Sequence, residues 1–144
     1  MPLQATQQLP LPYGLNINLA KSKKIATAAA KKAARMKVNV VIAIVDAGGH
    51  LVYLERSDMA QHGSIEVAIH KAKCSVAYKR PTRFFEDAIN EGRTALLTLD
   101  GVSTVEGGVP LVEDDKIIGA IGVSGAKSQE DGQIAEAGAK ILSR

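Results

Sequence analysis

From Ile117 to Gly125 the chain runs Ile-Ile-Gly-Ala-Ile-Gly-Val-Ser-Gly, a β-branched run that glycine interrupts at every third residue. A glycine inside a strand gives up packing area and backbone entropy, so it marks a place where something comes close to bare main chain. That something is a helix packed tightly on the sheet, a β-bulge, or a ligand against the backbone, and the last makes Gly119 and Gly122 candidate ligand contacts. Upstream, Gly107-Gly-Val-Pro110 leads into Val109 to Val112, and Glu113-Asp-Asp-Lys116 supplies a polar turn. Together these predict a hairpin.

The rest of the chain divides around that hairpin. Pro2, Pro10, Pro12 and Gly14 exclude a regular helix and predict an N-terminal arm over residues 1–16, followed by a single domain over 17–144. Asn16 or Asn18 can cap a helix from Leu19 to about Met36. Its buried stripe is Leu19, Ser22, Ile25, Ala26, Ala29, Ala30, Ala33 and Met36, with Lys21, Lys24, Lys31, Lys32 and Arg35 opposite. Val38 to Val45, the turn Asp46-Ala-Gly-Gly49 and the return from His50 to Glu55 predict a second hairpin. Ser64 is a candidate cap for a helix through Tyr78, and a short helix spans Arg83 to Glu91. Ala95 to Leu99 fits either strand or packed loop. A last helix follows Ser128-Gln-Glu-Asp131, with Ile134, Ala135, Gly138, Ile141 and Leu142 on its inner side. Two hairpins separated by helices predict an α+β domain with one mainly antiparallel sheet and helices on its faces. The order lacks the βαβ crossovers of a dinucleotide fold.

Composition narrows the function. Aromatic residues make up 3% of the 144, with no Trp, which leaves little for stacking on bases. A single cysteine, Cys74, rules out an intrachain disulfide framework and fits a reducing compartment, so a cytoplasmic location is expected. No apolar stretch is long enough to span a membrane. The net charge of +3 is uneven: residues 1–37 carry seven Lys or Arg and no acid, leaving eleven bases against fifteen acids elsewhere. A solvated helix face explains such a block, and with no reading motif beside it nucleic acid is not an expected partner.

Several side chains could carry chemistry. The helix from 64 to 78 has a second apolar side with Val67, Cys74 and Tyr78, flanked by His70 and Lys71. This predicts a ligand or a partner subunit there, and with it a homo-oligomer. His62, Glu66 and His70 are spaced by four and would form a metal site if one helix carried all three. Arg56 and Lys71 are candidate anchors for a ligand carboxylate. No nucleophile-elbow or phosphate-loop motif is present.

The ordered set Val45-Asp-Ala-Gly-Gly-His-Leu-Val52 with Glu55-Arg56, Ile65-Glu-Val-Ala-Ile-His-Lys-Ala72, Gly107-Gly-Val-Pro110, and Ile118 to Gly125 with Asp131 and Ile134-Ala135 resembles the GlcG/HbpS-like family. That family also supplies the C-terminal domain of PduO-type corrinoid adenosyltransferases. The resemblance covers roughly residues 17–142 and implies a profilin-like α+β domain that oligomerises and, in some members, binds haem. Haem ligation would fall to one of His62, His70, His50, Cys74, Met36 or Tyr78, with His70 first because it borders the second apolar side. Two functions fit. One is a haem, tetrapyrrole or small-ligand binding accessory protein linked to glycolate, diol or glycerol utilisation or to corrinoid metabolism. The other is an enzyme acting on a small oxygenated carboxylate or carbonyl metabolite, with Arg56 or Lys71 as anchor and Asp46 or Glu55 moving protons.

Overall fold

The computed structural model describes residues 11–142. Four antiparallel strands form one sheet in the order β2-β1-β4-β3: β1 (Val41–Asp46), β2 (Leu51–Arg56), β3 (Gly108–Glu113) and β4 (Lys116–Ser124). Both predicted hairpins form, and the first strand of one pairs with the second strand of the other. The tight turn of the second hairpin is Asp114-Asp115, both with positive φ of 52° and 60°. Aspartate tolerates this left-handed conformation better than most residues, and two such residues twist a two-residue turn to match the strands.

There are four α-helices among the described residues. On one face of the sheet lie α1 (Leu19–Met36) and α4 (Ser128–Ala139), on the other α2 (Gly63–Tyr78), followed by the short α3 (Arg83–Asn90). The central strand β1 is buried from Val41 to Val45 because both faces are covered. Ile42 and Ile44 join Ile121, Val123, Ile25 and Ile134 beneath α1 and α4. Val41, Ala43, Val45 and Ala120 meet Ala68, Ala72 and Val76 of α2. The expected α1 stripe is buried at Ser22, Ile25, Ala26, Ala29 and Ala33, whereas Leu19 is exposed. The α1 cap is Asn18, whose Oδ1 accepts the Lys21 N–H at 2.8 Å; Asn16 instead accepts the Ala47 N–H at 3.1 Å.

Three local expectations differ from the fold. Ser64 does not cap α2: it lies inside the helix, buried, and its hydroxyl meets that of Ser124 at 3.2 Å. Residues 94–98 form a 3-10 helix with no buried residue, so Ala95 to Leu99 make neither the strand nor the packed loop that the sequence allowed. The α4 cap falls at Lys127, one residue early, where Glu130 reaches back to the Lys127 N–H at 3.1 Å. Of the predicted arm, residues 1–10 lie outside the described residues. Residues 11–16 run beside the start of β4, with Gly14 N–H donating to Ile117 O and Ile117 N–H to Pro12 O, each at 2.9 Å.

Gly122 explains the glycine spacing of β4. A Cβ built there would lie 2.0 Å from the Ala68 carbonyl oxygen and 2.6 Å from the Ala72 nitrogen, so the α2 backbone rests directly on the strand. At Gly119 a Cβ would meet the Val45 carbonyl oxygen at 2.2 Å. The space over both glycines is filled by the chain's own main chain, which corrects the expectation that a ligand lies against them. Gly122→Ala should therefore cost about 3 kcal/mol or more, because helix and strand must separate. Gly63→Ala, with nothing within 4 Å of the added methyl, should change stability by no more than about 0.5 kcal/mol. Urea denaturation midpoints of the two variants measure the difference.

Candidate functional site

Because α2 rests on Gly122, the next turn of the helix carries Lys71 into the interior. Lys71 is 1% exposed and is the largest fully buried side chain among the described residues. Its Nζ donates to the Val123 carbonyl oxygen at 2.8 Å and to Asp131 Oδ2 at 3.0 Å. Asp131, 2% exposed in the first turn of α4, takes the Ala126 N–H on its other oxygen at 3.0 Å. Burial pushes the Asp131 carboxyl above its ordinary range, while Lys71 and the backbone donors pull it down, and burial is the larger influence. The pair spans the sheet edge and ties α2, β4 and α4 together.

The neighbouring elements close over it. Gly107 and Gly108 pass beside Lys71, where a Cβ at Gly107 would lie 2.7 Å from Nζ and one at Gly108 2.4 Å from the Lys71 carbonyl oxygen. Buried Thr82 exchanges two bonds with Gly108: its N–H donates to the Gly108 oxygen at 3.0 Å and its Oγ1 accepts the Gly108 N–H at 2.9 Å. Glu86 of α3 accepts the Glu106 N–H at 2.6 Å and the Ser128 hydroxyl at 3.3 Å. With both acceptors on its ammonium drawn from the protein and no exposed surface, Lys71 acts as a scaffold. The expectation that it anchors a ligand carboxylate is corrected: the amine points into the sheet and not out of the helix's second side.

The other predicted residues separate into covered and open groups. Cys74 is buried and accepts the Ser103 N–H at 3.2 Å, and burial raises its thiol pKa, so it is neither a thiolate nor an accessible iron ligand. The Tyr78 hydroxyl donates to the Asp100 carbonyl oxygen and its ring packs edge-on against Phe85 at 5.5 Å. Half of the second apolar side of α2 is thus covered by residues 100–103 of the same chain. Val67 and His70, further toward the helix start, stay exposed. His62 lies before the helix, and His62, Glu66 and His70 are all exposed. Among the described residues no three His, Cys, Asp or Glu side chains gather to hold a metal, so the three-ligand site does not form. Arg56 is exposed at the end of β2 and takes no part in the ion pairs among the described residues. Glu55 accepts the Tyr53 hydroxyl at 3.1 Å instead. Asp46 is a turn former, with Oδ1 accepting the N–H groups of Gly48 at 2.9 Å and His50 at 3.0 Å. The acids and cations of the enzymatic reading therefore do not meet.

Sequence reasoning missed the Lys71–Asp131 pair and Glu106. The available signal was the placement of Lys71 between Ala68 and Ala72 on the small-residue side of α2, together with an Asp where a helix cap favours Glu or Gln. Two hollows among the described residues have volumes of about 620 and 660 Å³, the first at the β3 edge and the second beside Tyr13 to Asn18. A smaller one of about 450 Å³ lies between His50 and Lys73. No helix among the described residues is long and apolar enough to cross a membrane.

Comparison with known proteins adds a family. Residues 17–140 match the sequence profile of the family described as haem degrading protein HbpS-like. Protein GlcG of Escherichia coli (strain K12) is 39% identical over 100 residues, which cover 69% of this chain and 75% of that protein. The crystal structure of Klebsiella pneumoniae protein ORFY superposes with a TM-score of 0.83 at 30% identity, covering 90% of this chain and 92% of that one. A crystal structure of a PduOC:haem complex superposes with a TM-score of 0.77 at 30% identity, covering 87% and 94%.

Removing one partner of the buried pair should be costly. Lys71→Met or Asp131→Leu alone should lose about 3–5 kcal/mol, since each strands a buried charge. The double variant should recover part of that loss, and equilibrium unfolding of all three gives the coupling. Native Cys74 should resist a thiol-titrating disulfide reagent at pH 8 and react at once in denaturant, as followed by thiolate release.

Proposed function

Since the chain belongs to the HbpS-like family, we propose that it is an accessory protein that binds haem or a related tetrapyrrole on the outer side of α2. The observation that carries this reading is the open part of that side, where the His70 imidazole and Val67 remain exposed while Cys74 is buried and Tyr78 half-buried. The likeness to a haem complex at 30% identity over most of this chain supports it.

The residues present fit the group. Iron needs a nitrogen, sulfur or phenolate donor, and His70 supplies an accessible imidazole. Propionates need cations, and Lys73 on the same helix and Arg56 are both exposed. The macrocycle needs apolar walls, and Val67, one turn before His70 on α2, is a large apolar residue left exposed. His70 lines none of the described hollows above, so the ring would lie on an open face and a second subunit would cover its other side. Bound haem iron supplies ligand exchange and one-electron chemistry; the chain supplies donor, wall and charge. The link to PduO-type proteins favours tetrapyrrole chemistry, haem or corrinoid, over a small-metabolite enzyme, for which Asp46, Glu55 and Lys71 are already engaged in the fold.

Haemin titrated into the purified protein should sharpen the Soret band saturably, at about one haem per subunit or subunit pair. His70→Ala should shift that spectrum and His50→Ala should leave it unchanged. Light scattering should give a mass above that of one chain. An unaltered spectrum in the His70 variant rejects this ligand, and no saturable change in the wild type rejects haem binding in favour of the small-metabolite reading.

A further inference from the structure

The hollow of about 620 Å³ at the β3 edge lies away from His70 and gathers charge from both helical layers. Lys32 and Arg35 come from the end of α1, Lys140 follows α4, and Arg83 opens α3 on the other side of the sheet. Lys32, Arg35 and Lys140 enter none of the ion pairs among the described residues, while Arg83 is 3.5 Å from Asp87 with both side chains exposed. Glu106 and Glu136 are the acids on the lining, which leaves an excess of two positive charges. We propose that this hollow binds a small di- or tricarboxylate, with Lys32, Arg35 and Lys140 on one wall and Arg83 on the other as its anion contacts.

Cations gathered in a concavity repel one another and focus a positive potential, which a bound anion relieves. Guanidinium and ammonium donors make charge-assisted bonds to carboxylates. A hollow of this size falls in the range of about 300–1,000 Å³ typical of small-molecule sites. An inorganic ion would leave most of it to water, whereas an acid with two or three carboxylates offers a separate anionic group to each set of cations. Glu106 tunes the site. It is half-buried against Gly132 of α4, and burial raises its carboxyl above the ordinary range. Arg83 and Lys71 pull it down; Glu86 and Asp87 push it further up. From α1 and α4 it shares the hollow with Lys32, Arg35, Glu136 and Lys140. As pH falls through that raised value Glu106 loses its charge, the positive excess grows and an O–H donor appears, so the site's own share of the affinity rises while protonation of the ligand's carboxylates works against it.

Isothermal titration of the full chain with citrate, succinate and inorganic phosphate at constant ionic strength tests this. Citrate or succinate should bind saturably at about one per subunit and more tightly than phosphate. Arg35→Ala and Lys140→Ala should each weaken binding about tenfold or more, the worth of one charge-assisted contact. Lys31→Ala, on the same helix but outside the hollow, should bind as the wild type does. Glu106→Gln should lose the part of the pH dependence that Glu106 supplies, leaving the part due to protonation of the acids themselves. His70→Ala should bind the acids normally, so failure here is separable from failure of haem binding. Absent saturable heat, equal losses in Lys31→Ala and Arg35→Ala, or tighter binding of phosphate than of either acid would each overturn the proposal. An unchanged pH profile in Glu106→Gln would overturn the role given to Glu106.

Discussion

The contact of α2 with β4 across Gly122 sets the geometry on which the remaining elements depend. A helix resting with its Ala68 carbonyl and Ala72 nitrogen on a strand leaves no room for a side chain between them. The small residues of α2 line this seat, and the gain is close packing of two backbones over a sheet already buried on its far side. At that depth the residue beside the seat, Lys71, cannot reach solvent. Its ammonium must find partners inside, and the Val123 carbonyl and Asp131 supply them.

The pair illustrates how a buried ion pair constrains a fold more than it stabilises one. Desolvation of both groups offsets much of their attraction, so the net gain over a well-packed apolar pair is small. Losing either partner is different, because an unpaired charge would remain in the interior. The pair therefore makes α4 obligatory to α2: one helix cannot leave the sheet without stranding the other's charge. Gly107, Gly108 and Thr82 complete the enclosure from the β3 side.

Polar groups that might have made an active site are consumed by this architecture. Asp46 holds a turn, Glu55 takes a tyrosine hydroxyl, Cys74 caps a loop amide and Lys71 is internal. What stays available lies on two separate surfaces. The outer side of α2 leaves the His70 imidazole and Val67 exposed. The edge of β3 offers converging cations, suited to an anion. The basic block near the N-terminus is likewise divided: Lys21 pairs with Glu113 at 2.6 Å, and Lys32 and Arg35 turn to the hollow. That division spreads the charge of α1 over two surfaces.

Local pattern determined the elements of this protein. The 3.6-residue spacing of alanines in α1, the β-branched runs of β1 and β4, and the Asp-rich tip between β3 and β4 each encode their structure within a few residues. The two hairpins, their antiparallel sheet and the helices on its faces follow from those patterns, and the ordered motifs carry the family. Tertiary structure alone decided which side of each element meets which neighbour. Glycine at 122 says that something comes close, but only the packing identifies it as α2. A lysine next to a histidine looks equally polar in the sequence; one helix turn on a buried seat sends Lys71 inward and leaves His70 outside. The Asp131 partner lies sixty residues away, and Lys32, Arg35, Arg83 and Lys140 come from three separate stretches of chain. Side-chain type and spacing are local properties, whereas burial and convergence depend on elements distant in sequence, so they exist only once the sheet has brought those elements together.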